Sequence, residues 1–375
     1  MRITFARVLA ACVCLGLLVA CGPAKPTPPV ETPQPDAAPE TLVEYEVPGD
    51  INPYTGLVRG EGYPLGTRGV AVMVNNVRAA WPQSGLNSAD LMYEIVTESG
   101  ITRLMAVYRD YKTMPVVGPI RSARDQHVQL MLPLQSLYAH IGTSNVAQEY
   151  LDLYKYTDAK SIDGKYKNFY WIDAERRKSK AQEHCVFTNG ETFTKAAEQY
   201  GLQTSATNEP PPAFNFVRYD QPARVLSGGA APEVYVRFSG YADSSFTYDP
   251  ATNKYLKTQY DQPQIDTADE GRQYGANNLF ILFADIEKYP DGVLAKVRFD
   301  QQQGAGLYFS GGRFERVRWM KEDPASPLRI VDNTGSETDV LVNPGTSYVA
   351  VVATEQIENC RIGAYTLEQA FQQSK

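Results

Sequence analysis

LMYEIVTESGITRLMAVY, residues 91–108, decides how this chain folds. Two runs rich in β-branched and aromatic residues, Leu91 to Thr97 and Thr102 to Tyr108, are parted by a short link containing Gly100, which is a hairpin pattern. With Ser99 and Gly100 as a two-residue turn, Glu98 faces Ile101 and Val96 faces Arg103. Glu94, Val96, Glu98 and Arg103 then share one side of the ribbon, with Arg103 diagonal to both acids. At about 3.3 Å per residue the two carboxylates lie roughly 13 Å apart, beyond the ~5–9.5 Å of glycosidase pairs. A helix would bring them together, but Ile95, Val96 and Thr97 oppose one.

Working outward, Gly69 to Asn75 reads as a buried strand ending in the amides Asn75 and Asn76. Ser122-x-x-Asp125 fits a capping box ahead of a helix with Val128, Met131 and Leu132 on one face. Ser136 to His140 reads as a strand, and residues 142–145 cap a helix through Leu153. Thr188-x-x-Glu191 opens a third helix that Gly201 ends. Strands with helices between them predict a mixed α/β domain. The three prolines at 210–212 can continue neither a helix nor a central strand, and set a boundary. Beyond them the chain is a series of strand runs with turn residues between, a β-sandwich or open barrel, closed by one helix at 366–373. The expected class is α+β, with an α/β domain over 49–209 and a mainly β domain over 210–375.

Residues 1–20, MRITFARVLAACVCLGLLVA, have the positive start and apolar run of a secretory signal, and the run falls short of the ~20 residues a membrane span needs. Leu18-Val19-Ala20-Cys21 with Gly22 resembles the bacterial lipobox, which makes Cys21 the lipidated residue and the membrane a partner through that anchor. Residues 21–48 are proline-rich and read as a tether reaching up to about 80 Å. The rest is expected at the cell membrane, facing the extracytoplasmic side. Cleavage removes Arg2 and Arg7 from 36 basic and 43 acidic side chains, leaving a net charge of about −9, which disfavours nucleic acid. Of the five cysteines, only Cys185 and Cys360 remain in the folded part, where a disulfide and two separate thiols are both open.

NPYTGL (52–57), VAVMVNNVRAAWPQSGLNSADLMYE (70–94), ESGITRLMAVY (98–108), VGPIRSARDQHV (117–128) and EHCVFTNGE (183–191) resemble the YerB-like bacterial lipoproteins. GAGLYFSGGRFERVRWMKE (304–322) and GTSYVAVV (345–352) resemble their carboxy-terminal domain, so the likeness runs over about 320 of the 375 residues. It implies a two-domain envelope lipoprotein, mostly of Gram-positive type, and brings no established catalytic residue.

Chemistry therefore rests on the residues themselves. Ser122 as an N-cap would set free N–H groups beside Arg121 and Arg124, a place for a carboxylate or phosphate; the alternative is that Asp125 takes an arginine in a local ion pair. If the junctions at Ser122 and Ser144 converge, a cleft is lined by Asn75, Arg121, Arg124, His140 and Asn145, with Glu94, Glu98 and Arg103 along one wall. His184-Cys185 lacks metal-site spacing, no GxSxG occurs, and neither metal nor cofactor is expected. Tyr235, Tyr241, Tyr248, Tyr255, Tyr260 and Tyr274 read as ordinary strand residues, with contact to sugar or a protein as the alternative. The expected function is binding of a polar or anionic, wall-derived glycan or peptide, or an envelope protein. The rival is a wall-processing hydrolase or lyase using His140 or His184 with Asp125 or a glutamate.

Overall fold

Val70–Asn75 forms strand β1, and every residue of it is buried. A continuous apolar strand has to be covered on both faces. β1 lies inside a ten-stranded sheet with a separate hydrophobic core on each side. The computed structural model describes residues 49–156, 161–162, 167–206 and 208–373. The expected signal sequence, Cys21 and the proline-rich tether lie outside those residues.

Leu91–Val96 (β2) and Thr102–Tyr108 (β3) form the expected hairpin, and β1 pairs with β3. Leu137–Ala139 (β4) and Ser161–Ile162 (β5) extend the sheet beyond β1, both parallel to it. The later chain contributes Glu233–Arg237 (β6), Asp243–Asp249 (β7) and Lys254–Gln259 (β8), which make a second, antiparallel sheet. Asn278–Ala284 (β9), Gln303–Ser310 (β10), Arg313–Met320 (β11), Arg329–Asp332 (β12) and Ser347–Ala353 (β13) return to the first sheet. Its order is β12-β11-β10-β9-β13-β2-β3-β1-β4-β5. The class is therefore α+β, mixed α/β early in the chain and mainly β later, with no closed barrel.

One strand joins the two halves. β13 pairs parallel with β9 on one side, from Asn278↔Ser347 to Ala284↔Ala353, and parallel with β2 on the other, from Leu91↔Ser347 to Ile95↔Val351. All seven of its residues are buried. The prolines at 210–212 lie in neither helix nor strand, and the described residues on both sides of them belong to one compact unit.

Each face has its own cover. Val72, Met92, Leu104, Leu279 and Tyr348 meet Val234, Val236, Phe246 and Tyr255 of the second sheet, with Phe193 of α3 (Gly190–Tyr200) in the same core. On the other face Met73, Tyr93, Met105 and Val349 meet Val128 and Met131 of α1 (Asp125–Met131) and Leu151 of α2 (Asn145–Leu153). Ser144 caps α2, its Oγ accepting from Ala147 N at 3.2 Å, and Gly201 ends α3 with φ of 60°. The cap of α3 is Asn189, one residue past the expected Thr188.

Three sequence expectations are corrected. Ser122 does not cap a helix: α1 starts at Asp125 behind Arg124, without a side-chain cap. The hairpin is not a plain two-residue turn. Ile101 N does donate to Glu98 O at 3.0 Å, with Ser99 and Gly100 at φ of 53° and 79°, but Thr97 N also donates to Ile101 O at 2.8 Å. One extra residue thus opposes Ile101, and the register becomes Ile95↔Arg103 and Val96↔Thr102. A one-residue slip reverses every side chain, so Glu94 and Arg103 lie on opposite faces of the sheet.

Glu94 therefore points into the intersheet core, where neither it nor Lys257 has any exposure, and Lys257 Nζ stands 3.5 Å from its Oε2. Asn76 Nδ2 and Thr102 Oγ1 donate to Glu94 Oε1 at 2.7 and 2.6 Å, and the Tyr348 hydroxyl donates to Oε2. The ammonium of Lys257 also donates to Gln259 and Gln264. Burial alone would push this lysine toward its neutral form; Glu94 opposes that. Removing one member of a buried pair strands the other, at about 3–5 kcal/mol. K257M is expected to lose that much in urea unfolding and E94Q/K257M to regain at least half; equal loss in both would remove the pair from the account.

Candidate functional site

β1, β2, β4, β5, β9 and β13 all run the same way, so their carboxyl ends line one edge of the sheet. That edge is where open α/β sheets hold ligands. VGPIRSARDQHV crosses it in extended form: Val74 bridges Ile120, Arg121 N donates to Met73 O at 3.0 Å, and Ala123 bridges Thr143. Ile141 N donates to Arg121 O and Ala123 N to Gly142 O, which brings the Ser122 and Ser144 segments side by side.

The three arginines meet different fates. Glu98, at the hairpin tip, accepts from Arg103 Nη2 at 2.6 Å and from Arg124 Nε at 2.9 Å, one carboxylate holding two guanidiniums. Backbone carbonyls take further donors, Ser122 O from Arg103 and Ala123 O from Arg124. Burial works against the charge on Glu98, but Arg103 and Arg124 prevail and hold its carboxyl at about 2. This clamp is complete without a guest. Arg121 is the open one. Its side chain is 24% exposed, its Nη1 lies 3.5 Å from the half-exposed Glu183 carboxylate, and its Nε is buried with no hydrogen-bond partner among the described residues.

Asn75, at the end of β1, stands beside Arg121's segment and orders the next residue of the cluster. Its Oδ1 accepts from Val77 N, and its Nδ2 faces both Glu183 O and His184 Nδ1, at 3.3 and 3.0 Å. Since an amide nitrogen only donates, Nδ1 of His184 accepts and the ring proton sits on Nε2, 3.6 Å from Glu183 Oε1. Burial lowers the His184 pKa, with Glu183 opposing. Arg121, Asn75, Glu183 and His184 make one small polar cluster.

The other candidates are not in it. Glu94 is buried on the opposite face with Lys257. His140 follows β4 and is buried, its Nδ1 bonded to Gly142 O at 2.9 Å. Asn145 is exposed at the first turn of α2. Asp125 does not pair with an arginine; its Oδ2 accepts from the Tyr289 hydroxyl at 2.8 Å, while Oδ1 has no partner among the described residues. Burial raises its carboxyl to about 6 and, with Arg103 beside it, lowers His127 to about 3. Cys185 and Cys360 are free, buried thiols. No group of metal ligands occurs among the described residues.

Glu183, Lys257 and Tyr289 were not among the sequence candidates. Tyr289 is 164 residues from Asp125, and no local signal links them. Glu183-His184 was visible as a pair of polar residues before an apolar strand, but nothing placed it against Asn75.

Residues 54–203 match the "Protein of unknown function (DUF3048) N-terminal domain" and residues 234–349 the corresponding C-terminal domain. The chain belongs to this two-domain, YerB-like family. A protein of Bacillus subtilis (strain 168) named "Putative lipoprotein YerB" is 34% identical over 206 residues, 54% of this chain and 54% of that protein, so the match spans about half the length of the relative. The crystal structure of the YerB protein from Bacillus subtilis is similar over 80% of this chain and 96% of that one, with a TM-score of 0.67 and 25% identity.

Asp125, outside the Arg121 cluster, gives the fold a pH signature. Its folded value, about 6, lies above the usual 3.8 of an aspartate, so ionising it in place costs stability; the cost is full above pH 6 and fades as pH falls from 6 toward 3.8. D125N should therefore raise the unfolding free energy at pH 8, by on the order of 2–3 kcal/mol, and the gain over the parent chain should close by pH 4. A gain that is independent of pH would show that folding leaves the Asp125 pKa unshifted.

Proposed function

We propose that this chain is a lipid-anchored binding protein on the extracytoplasmic side of the bacterial membrane, and that it takes an anionic, wall-derived ligand at the Arg121 cluster. The supporting observation is the unspent donor of its guanidinium: Nε of Arg121 is buried without a partner among the described residues, at the carboxyl edge of parallel strands. A buried donor left unpaired costs about 1–3 kcal/mol, which an anion accepting from it would relieve. His184, its tautomer fixed by Asn75, can then donate from Nε2 beside it.

Binding accounts for this geometry better than hydrolysis does. A general base needs a lone pair facing substrate. In His184 one nitrogen accepts from Asn75 and the other carries the proton. His140 is buried and fixed to its own turn. The anchor reading rests on the lipobox at Leu18 to Cys21 and on the lipoprotein name of the Bacillus relative.

Residues 49–375, titrated calorimetrically with soluble muropeptides and with glycerol phosphate oligomers, should bind one of these, and R121Q should weaken it at least tenfold with the melting temperature nearly unchanged. Unchanged affinity in R121Q, or release of new reducing ends, overturns the reading. In the full chain, C21S should leave the membrane fraction and incorporate no labelled palmitate; retention of both would remove the anchor.

A further inference from the structure

A second set of charges lies on the outer face of the second sheet. Val234 and Val236 of β6 point into the core, so the alternating residues Tyr235 and Arg237 point outward. Arg361 pairs with Tyr235 across the neighbouring short strand Arg361–Ile362, while Ile362 is buried. Arg237 and Arg361 therefore occupy diagonal positions on one face, flanking the Tyr235 ring. Like charges so placed repel unless an anion lies between them.

The protein supplies only part of that anion. Asp243 takes Arg237 Nη1 at 3.1 Å. Arg361 Nη1 donates to the carbonyls of Glu358 and Cys360, and no carboxylate among the described residues lies within ion-pair distance of it. The two arginines, with Tyr235, Gln356 and Asn359, line an open hollow of about 400 Å³ that has no acid in its wall.

This hollow does not stand alone. It shares Gly240 and Gln356 with a second one of about 230 Å³, whose wall includes Thr97, Ser99 and Ser239. Beside the shared Gly240, Tyr241 is 79% exposed, with one ring edge against the Gly100 hairpin tip. The trough thus has an acid-seeking end at the two arginines and, past Gly240, hydroxyls together with the charged side chains of Glu287, Lys288 and Glu355, while Tyr241 stands at its rim next to Gly240. It lies near the carboxyl ends of β2 and β13, since Val96 and Ala353 are in its wall.

We infer that this trough binds an acidic glycan, its carboxylate held between Arg237 and Arg361 and a sugar ring seated on Tyr241. Amides and hydroxyls match sugar hydroxyls, and an exposed tyrosine offers a flat apolar surface at little entropic cost. A peptide adding as a strand fits less well, because β6 already has a partner on both sides. The site is separate from the Arg121 cluster and does not rest on it.

Residues 49–375 are titrated with hyaluronan tetrasaccharide, with neutral chitotetraose of the same length, and with an acetylated glutamate tetrapeptide, at low salt. The tetrasaccharide of alternating uronate and hexosamine should bind at least tenfold tighter than chitotetraose. R361Q and R237Q should each lose tenfold or more, R361K should fall between, and Y241A should weaken the tetrasaccharide threefold or more while leaving free glucuronate unchanged. R121Q should leave all of these as they are, which separates this site from the one proposed above. Equal binding of the neutral chain, preference for the peptide, absence of saturable binding, or an R361Q protein that binds as the parent does would each overturn the assignment.

Discussion

A carboxylate and an ammonium with no access to water face each other between two sheets, and much else in the molecule is arranged around that pair. Glu94 comes from the second strand and Lys257 from the eighth, more than 160 residues later. Each also takes hydrogen bonds from or gives them to its surroundings, Asn76 and Thr102 on the acid and two glutamines on the base. Satisfied networks of this kind are costly to half-build. Their presence fixes which part of the second sheet lies over which part of the first. Around the pair, Asp266 performs a similar service, accepting from the backbone N–H groups of Gly85 and Asn87 at 2.7 Å each.

The carboxyl edge shows charge used in two ways. At Glu98 two arginines are spent on structure: they tie the hairpin tip to the segment entering α1, their donors directed at one carboxylate and at the carbonyls of Ser122 and Ala123. Arg121, only three residues from Arg124, sits outside that clamp because the intervening chain follows an extended path between the end of β1 and residues 141–143 rather than turning into a helix at Ser122. Extended backbone sends neighbouring side chains to different environments. The same local geometry that denied Ser122 its cap thus left one guanidinium uncommitted.

What could be read beforehand follows the range of the interactions. β1 to β4, the cap at Ser144 and the stop at Gly201 depend on contacts within a few residues, and their patterns were visible. The bulge opposite Ile101 was not, because Ser99-Gly100 serves equally in a plain turn and in one with an extra residue. That single residue moved Glu94 and Arg103 to opposite faces and dissolved the proposed wall of acids and base. Likewise β13 reads as a buried strand, but no property of SYVAVVA says whether its neighbours are 70 or 250 residues away. Arg121 was singled out in the sequence; its neighbour Glu183 and the ordering amide of Asn75 beside His184 needed the fold.

The placement of β13 also governs how the chain can be made. Until residue 353 has emerged, β2 has a bare edge on one side and β9 on the other, so the central seam of the large sheet is the last part that can zip. Synthesis supplies the amino-terminal strands long before their closing partner, and pairing across that separation is slow. The two family segments are accordingly not modules that could be exchanged between proteins: cutting between them would leave each with half a sheet and an unsatisfied row of amides and carbonyls.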